Sequence, residues 1–352
     1  MIRVLHLVGP DASVSTSTGV AILSRPDEQM RSAVFRIGKG GDFRNALSAA
    51  ATLRFAPVPF DLIHAWDRAA FLAAVGSGGP VVLSIDTALS TGEISWLAAA
   101  AVPNVRLVAG SSWTTAQLQY SGVSPEHCQT ILPAAMLPPF AADATVGAAL
   151  RAELGFTASD FVVLAPGESV RSANHAAALH AVSILHVLNP RFRLLLWGRG
   201  PMTRGLKGLS NRLGHDHIVI CADRVQPSRF MLSDLAAASD AALFCAVEPA
   251  PTAPIIACAA AGLPIVAFDT ALSRELFPGD CVIKVLPPKP RVLAQALLQL
   301  SEDAVKTARL GQAAKACAAD RFTPERFGNN YVSVYRDLMA AVSLQHTRMD
   351  VV

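Results

Sequence analysis

The sequence predicts an α/β protein of two doubly wound domains in tandem, each built on a parallel sheet. Short, nearly continuous apolar segments alternate with helical segments along most of the 352 residues. Such strands, separated by helices, are typical of parallel sheets that are covered on both faces. The proline-rich segment PAAMLPPFAADATVG (133–147) interrupts the alternation, which restarts after RAELG. The interruption indicates a linker between two domains.

Six strands and four helices are predicted before the linker. The strands cover 3–8, 33–37, 61–66, 80–85, 105–110 and 129–134. The helices cover Phe43–Leu53, Arg68–Val75, Glu93–Ala101 and Trp113–Ser121. The segment after the first strand, VGPDASVSTSTGVAILSRPDEQ, is polar and is broken by Pro26, so we predict a surface loop there, with a short or absent helix. Its Ser and Thr residues could instead cap a short helix or bind phosphate.

The same alternation follows the linker. The predicted strands cover 161–166, 192–198, 217–222, 241–246, 264–268 and 281–285. The predicted helices cover Asn174–Leu188, Arg204–Leu213, Ser228–Ala238, Pro254–Ala261, Arg291–Ala319 and Pro324–Leu344. Ligands of doubly wound sheets bind at the carboxyl ends of the strands. We therefore expect a ligand cleft between the two domains.

Composition narrows the class of protein. Hydrophobic residues make up 52% of the chain and charged residues 16%, which predicts large buried cores. The net charge of +3 argues against nucleic acid as a partner. Six scattered cysteines without a CxxC pair indicate core residues in a reducing, cytoplasmic setting. We predict no signal peptide and no transmembrane segment, while peripheral contact with a membrane stays open.

Two common nucleotide-binding motifs are missing. The turn after the first strand has a single early glycine, Gly9, and no G-x-G-x-x-G follows. The P-loop pattern G-x-x-x-x-G-K-S/T is also absent from the sequence. A nicotinamide-dependent enzyme and a P-loop ATPase are therefore disfavoured.

Several blocks in order resemble one large family. The blocks are DLIHAWD (61–67), VAGSSWTTAQLQYSGVSPEHCQTILPAAM (108–136), RAELGFTASDFVVLAPGE (151–168), NPRFRLLLWGRGP (189–201), IVICADRVQPSRFMLSDLAAASDAALF (218–244), AGLPIVAFD (261–269) and RFTPERFGNNYVSVYRDLM (321–339). They resemble the retaining GT-B glycosyltransferases of the family 4 type, the glycosyl transferases group 1. The resemblance implies two Rossmann-like domains and a nucleotide-sugar donor, such as a UDP- or GDP-sugar. It implies no further cofactor and no metal, and it leaves the acceptor (glycan, lipid or small molecule) unknown.

The resemblance also implies a role for each domain and the boundaries between the domains. Residues 1–138 would form the acceptor-side domain, 139–150 the linker and 151–322 the donor domain. Residues 323–352 would form a C-terminal helix that packs back toward the first domain.

Site residues follow from the same resemblance. The family neutralises the diphosphate with an Arg and a Lys, holds sugar and ribose with two Glu, and places a His near the reacting carbon. By position, the candidate catalytic residues are Glu248, His64 and Asp86. The candidate donor-binding residues are Gly9, Gly167, Arg171, Gly198, Arg199, Gly200, Arg204, Thr252, Ala253 and Ile255.

Four positions depart from the family pattern. They are Glu168 for the Arg, Ala173 for the Lys, Ala257 for the second Glu and Asp86 for the His. A carboxylate beside a diphosphate costs about a few kcal/mol. Arg171, Asn174 and His175 are near enough in sequence to compensate.

Two hypotheses therefore stand. One is a metal-independent retaining glycosyltransferase; the other is a catalytically inactive relative that keeps the two domains as a binding or scaffold protein.

The pair His215 and His217 suggests a metal site, but two ligands without a third are weak support for one, and we predict none.

Overall fold

The computed structural model describes residues 1–9, 12–25, 29–37, 60–135, 144–221 and 232–349. The chain divides into two compact units. Unit 1 comprises Met1–Ala134 and Pro324–Val352, and unit 2 comprises Ala135–Thr323. The predicted helix at Phe43–Leu53 lies outside the described residues.

Unit 1 contains a six-stranded parallel sheet in the order β2-β1-β3-β4-β5-β6. Its strands are β1 (Ile2–Val8), β2 (Met30–Arg36), β3 (Leu62–Ala65), β4 (Val81–Ile85), β5 (Val105–Ala109) and β6 (Cys128–Thr130). The register aligns the carboxyl ends of the central strands, for example Ile85 of β4 beside Ala109 of β5. Side chains that follow these strands are therefore brought to one edge of the sheet.

The first four helices of unit 1 begin at polar caps. The helices of this unit are α1 (Val14–Leu23), α2 (Arg68–Val75), α3 (Thr91–Ala100), α4 (Ser112–Tyr120) and, after unit 2, α13 (Pro324–Met349). Ser90 and Glu93 form a capping box at α3, and Asp67 and Ser111 cap α2 and α4. These oxygens satisfy amide groups that the first helical turn leaves free.

The predicted surface loop after β1 was wrong for part of its length. Residues Val14–Leu23 form a helix, and the Ser13 side chain caps it by accepting a hydrogen bond from the Thr16 amide. The polar Ser and Thr residues thus start the helix, while Val20, Ile22 and Leu23 bury in the core.

Unit 2 contains a second six-stranded parallel sheet, in the order β12-β11-β10-β7-β8-β9. Its strands are β7 (Phe161–Pro166), β8 (Phe192–Trp197), β9 (Val219–Cys221), β10 (Ala241–Phe244), β11 (Ile265–Phe268) and β12 (Ile283–Val285). The predicted fold class, two doubly wound parallel-sheet domains, is confirmed. The cleft between them stays a prediction.

Unit 2 has eight helices among its described residues. They are α5 (Ala144–Glu153), α6 (His175–Leu188), α7 (Thr203–Arg212), α8 (Leu232–Ala237), α9 (Ala253–Ala260), α10 (Ala271–Leu276), α11 (Pro290–Glu302) and α12 (Ala304–Arg321). The closing region predicted as one helical stretch is two helices, because Asp303 ends α11 and caps α12 with its side chain. Helix α10 was not predicted, since its six residues are too few to show a helical period.

Helix α5 occupies part of the segment predicted as linker. Arg151 fixes it to the second sheet through Asp240, with its Nη2 2.5 Å from the carboxylate. Asp240 also accepts a hydrogen bond from the Val162 amide at 2.7 Å. A long-range ion pair therefore holds a segment whose composition alone indicates a break.

Helix α13 completes unit 1. Tyr331, Tyr335 and Leu338 are buried in a core cluster with Val4 and Trp66. Among the described residues, no helix has the length and apolar character that crossing a membrane requires.

Candidate functional site

A cavity lies at the carboxyl ends of β7 and β10 in unit 2. It is lined by Pro166, Gly167, Glu168, Ala173, His175, Leu243, Phe244, Cys245, Ala250 and Pro251. This edge is the ligand-binding edge of doubly wound sheets. The cavity brings the predicted binding residue Gly167 together with two altered positions, Glu168 and Ala173.

The loops after β7 and β8 cross each other in direct backbone contact. Ser169 joins them: its hydroxyl donates to the Gly198 carbonyl at 2.8 Å, and its carbonyl accepts from the Met202 amide at 2.8 Å. Gly198 has a φ of 115°, and a Cβ there would overlap the Gly167 carbonyl. A Cβ on Gly200 would overlap the backbone of Ser169. Close approach of the two loops therefore accounts for both glycines of the WGRGP turn.

Helix α6 begins at the cavity with an unusual first turn. Asn174 lies in the left-handed region, at a φ of 53°, and its side-chain amide donates to the Cys245 carbonyl at 3.2 Å. The contact ties the start of α6 to the end of β10. The free amides of the first turn of a helix favour anions, so this terminus suits a phosphate group.

His175 is buried at the first position of α6. Burial lowers the pKa of its imidazole to about 4, against a hydrogen bond with the Pro166 backbone that acts the other way. Its Nδ1 is buried without a hydrogen-bond partner within the described part of the chain. The ring is therefore neutral at physiological pH and presents a polar atom at the cavity.

The start of helix α9 adjoins the same loops. A Cβ on Gly167 would lie 3.7 Å from the Pro254 ring. Thr252, Ala253 and Ile255, the predicted binding residues here, are all buried. Their side chains therefore pack in the core of unit 2, and only their backbone amides could contact a ligand. Pro254, which lies between Ala253 and Ile255, has no amide hydrogen to donate.

The charged candidates are on the surface. Glu248 is exposed in the loop between β10 and α9, whose flanking residues Cys245 and Ala250 line the cavity. Arg171, Arg199 and Arg204 are also exposed. Arg171 and Arg199 lie in the loops that cross at Ser169, after β7 and β8 respectively, and Arg204 lies in the first turn of α7, which follows the second loop.

Ala257 is another of the four positions that depart from the family pattern. It lies within α9 and is half-buried. It has no polar side chain to offer a ligand.

His64 occupies the core of unit 1. Its side chain is fully buried, with Nδ1 2.7 Å from the Tyr335 hydroxyl and Nε2 2.7 Å from the Ser84 hydroxyl. Its ring stacks on Trp66 at a centroid distance of 4.1 Å. Burial, with a further contribution from His6, holds its pKa well below the usual range. Both nitrogens are committed to protein hydroxyls, so this geometry anchors β3 to β4 and α13.

Asp86 lies at the end of β4 beside a second cavity. Its carboxylate accepts a hydrogen bond from the Ser13 hydroxyl at 2.6 Å, at the start of α1. The cavity is lined by Ser15, Thr16, Trp66, Ser84, Ile85, Asp86, Val108, Gly110, Ile131, Pro133, Phe327 and Tyr331. Ser84 lies 2.6 Å from the Tyr331 hydroxyl, which links this cavity to the His64 cluster.

Gly9 has a structural partner in unit 1. Its amide donates to the Asp67 carboxylate, which also accepts from the Ala70 amide at 2.9 Å at the start of α2. A Cβ on Gly9 would overlap that carboxylate. The residue type is therefore explained by the close approach of Asp67.

The two histidines considered as metal ligands have a third neighbour. The ring of His186 lies 5.9 Å from that of His215 and 5.4 Å from that of His217. His186, on α6, is distant in sequence, so the pair alone could not indicate it. Within the described residues, no group of three side chains is arranged to hold a metal ion.

Comparison with known proteins bears on this geometry. Residues 160–303 match the family model of the glycosyl transferases group 1. The match includes the strands and loops that form the cavity of unit 2. This part of the chain is therefore similar to a glycosyl transferases group 1 domain. No curated protein matches the chain significantly.

Solved structures share the fold. HepE of Anabaena, determined in complex with UDP-glucose, superposes with a TM-score of 0.76 at 17% identity over 96% of this chain and all of HepE. Sucrose-phosphate synthase from Thermosynechococcus elongatus gives a TM-score of 0.75 at 16% identity, over 97% of this chain and 100% of that one. WaaG, a glycosyltransferase involved in lipopolysaccharide biosynthesis, gives 0.68 at 15% identity, over 93% and 99%. The chain has the GT-B fold.

Proposed function

We propose that the protein is a glycosyltransferase that moves a sugar from a nucleotide-sugar to an acceptor, which could be a glycan, a lipid or a small molecule. The observation that carries the proposal is the cavity at the ends of β7 and β10, where the first turns of α6 and α9 adjoin. That cavity lies within the residues matched by the glycosyl transferases group 1 model. HepE, which shares the fold, binds UDP-glucose, so a uridine diphosphate sugar is the first donor to test.

The chemistry of such a transfer suits these residues. Negative charge develops on the diphosphate as the bond to the sugar breaks, and preorganised amides and cations stabilise it. The amides at the start of α6 and the exposed Arg171, Arg199 and Arg204 would supply that stabilisation. Glu248 would accept hydrogen bonds from sugar hydroxyls.

The finer features of the proposal come from the family resemblance. Transfer would retain the anomeric configuration and need no metal or cofactor beyond the donor. Residues 1–138 would hold the acceptor, with Asp86 near the transferred sugar, and residues 151–322 the donor.

One observation favours a second candidate function. Glu168 lines the same cavity as Ala173, so an anionic group replaces the cation of the family pattern there. Repulsion between this carboxylate and a diphosphate favours a protein that keeps the fold but transfers no sugar.

Calorimetric titration of the full chain with UDP and GDP separates the candidates. If the protein is a transferase, it should bind one of these nucleoside diphosphates. Glu168→Gln should then raise the affinity for that nucleotide about tenfold, because it removes a charge of the same sign as the diphosphate. Sugar release from the donor should then be lost in Glu248→Ala. The control Glu302→Ala, which removes an exposed carboxylate at the end of α11, should release sugar at the unaltered rate.

Two outcomes would contradict the transferase. The absence of nucleoside diphosphate binding at millimolar concentration rejects it outright. Binding without sugar release in the presence of varied acceptors supports the second candidate.

A further inference from the structure

Two cysteines distant in sequence meet on unit 2. Cys281 precedes the edge strand β12, and Cys317 lies in the last turns of α12. Their sulfurs lie near two carbonyls that are two residues apart in sequence. Cys281 Sγ is 3.3 Å from the Pro278 oxygen, and Cys317 Sγ is 3.9 Å from the oxygen of Leu276, the last residue of α10. Each thiol also shifts the pKa of the other. Both sulfurs are free thiols.

Exposure distinguishes this pair from the other cysteines whose side chains the structure describes, which are Cys128, Cys245 and Cys258. Cys281 and Cys317 are half-buried, whereas Cys128, Cys245 and Cys258 are buried. Burial raises the pKa of the Cys245 thiol to about 12. Since the thiolate is the reactive form, these internal thiols are protected in the folded protein.

The charges around Cys281 favour its thiolate. The hydrogen bond from Cys317 lowers the pKa of the Cys281 thiol to about 7, with the cations of Lys284 and Arg321 acting in the same direction. The same contact raises the pKa of Cys317. One sulfur is thus prepared to attack, and its neighbour retains its proton.

We propose that Cys281 and Cys317 form a reversible redox site at which a peroxide converts the thiol pair to a disulfide. Cys281 attacks one oxygen of hydrogen peroxide; the O–O bond breaks, and water and a sulfenic acid result. Cys317 then attacks the Cys281 sulfur, so that the S–S bond forms, the S–O bond breaks and a second water leaves. Two thiols lose two electrons, and the peroxide gains them.

The disulfide would tie the segment before β12 to helix α12. It would close the chain between residues 281 and 317 and thereby reduce the entropy of the unfolded chain. Oxidation should therefore raise the Tm of unit 2 by roughly a few degrees. Reduction by a dithiol should reverse the shift.

Peptide mass spectrometry of the full chain tests the proposal. The reduced protein is treated with a small excess of hydrogen peroxide, and remaining thiols are alkylated after denaturation. We expect a cross-linked peptide containing Cys281 and Cys317 that dithiothreitol removes, while Cys128, Cys245 and Cys258 are recovered alkylated. Recovery of Cys281 and Cys317 as free thiols, or cross-links that favour no particular pair, would overturn the proposal.

Variants assign the role of each sulfur. In Cys317→Ser, oxidation should stop at a Cys281 sulfenic acid that dimedone captures. In Cys281→Ser, Cys317 should stay reduced. Lys284→Met should slow the oxidation of Cys281 several-fold. The control Lys289→Met removes an exposed lysine charge slightly further along the chain and should leave the rate unchanged. Equal rates in the two lysine variants would reject the assigned electrostatic role, and oxidation of Cys317 in Cys281→Ser would reject the order of attack.

Discussion

Both units place polar residues at or near the carboxyl ends of parallel strands. The two units differ in whether these residues are enclosed in the core or face a cavity and solvent. In unit 1, His64 is fully buried and both of its nitrogens meet protein hydroxyls. In unit 2, the strand ends carry crossing loops with exposed arginines and a cavity lined by Glu168 and His175. A cluster whose bonds are satisfied internally stabilises the core. Polar groups left available at a sheet edge suit a ligand.

The largest effect is expected from Gly198→Ala. The new Cβ would overlap the Gly167 carbonyl at a φ of 115°, and neither backbone can move without breaking the Ser169 contacts. We expect a loss of about 4 kcal/mol in the free energy of unfolding, together with loss of nucleotide binding. Chemical denaturation measures the first quantity. Gly205→Ala, in α7 with open space around it, should be neutral or slightly stabilising; an equal loss there would contradict the crossing-loop argument.

His64→Ala should be the next largest. It removes a buried ring and leaves the Tyr335 and Ser84 hydroxyls without their partner, which should cost about 3 kcal/mol. Tyr335→Phe keeps the ring and removes one hydrogen bond, so it should cost about 1–2 kcal/mol. Tyr120→Phe, at a side chain that is 96% exposed, is the matched control. If His64→Ala unfolds with unaltered stability, the structural role is wrong.

Acid should weaken unit 1 more steeply than unit 2. In unit 1, burial lowers the pKa of His6 to about 4 and holds that of His64 well below its usual range. In unit 2, burial lowers the pKa of His175 to about 4 and also lowers that of His186, whose side chain is only partly buried. Unfolded histidines take up protons below about pH 6.5, whereas these folded ones stay neutral. Stability is therefore complete above pH 6.5 and falls as the pH decreases toward 4.

Hydrogen exchange measures this difference unit by unit. From about pH 7.5 to 5.5, we expect a loss of about 2.7 kcal/mol in unit 1, from His6 and His64. In unit 2 we expect a smaller loss, about 1.3 kcal/mol from His175 and a lesser part from the partly buried His186. Exchange rates are corrected for their intrinsic pH dependence. Equal losses in the two units would contradict the assignment of the buried histidines.

The smallest effect on stability, and a clear one on binding, is expected from Arg199→Ala. The side chain is exposed, so the free energy of unfolding should change by less than about 0.5 kcal/mol. UDP affinity measured by calorimetry should fall about tenfold at low salt and less at high salt. Arg212→Ala, at the far end of α7, is the control. A tenfold loss in both variants would indicate a diffuse field rather than a site.

Local pattern predicted most of the fold. Strands of three to seven residues were predicted in both sheets, because a central parallel strand that is buried on both faces must be apolar along its length. Two local predictions were wrong for a physical reason. The Ser- and Thr-rich segment after β1 is a helix, since its polar residues include the cap, and the end of the proline-rich segment is helix α5, held by the distant Asp240.

The candidate site was predictable only in part. The sequence places Gly167, Gly198 and Gly200 in loops, because each follows a predicted strand. The reason these positions require glycine is the backbone contact between the two loops, which depends on the register of β7 and β8 and on how the loops cross. The meeting of Cys281 with Cys317, and of His186 with His215, depends on which helix lies beside which strand. No spacing in the sequence encodes such neighbours.

The sequence by itself determined the two parallel sheets and the order of the blocks, because burial on both faces constrains the residues of the central strands. It also located Glu248 and the arginines at strand ends. Tertiary structure alone decided that His64 is enclosed by hydroxyls and aromatic rings, that Glu168 and Ala173 share one cavity, and that Cys281 and Cys317 lie near carbonyls of the same short segment. These are properties of side chains brought together from separate elements, and their burial and charge exist only once the chain has folded.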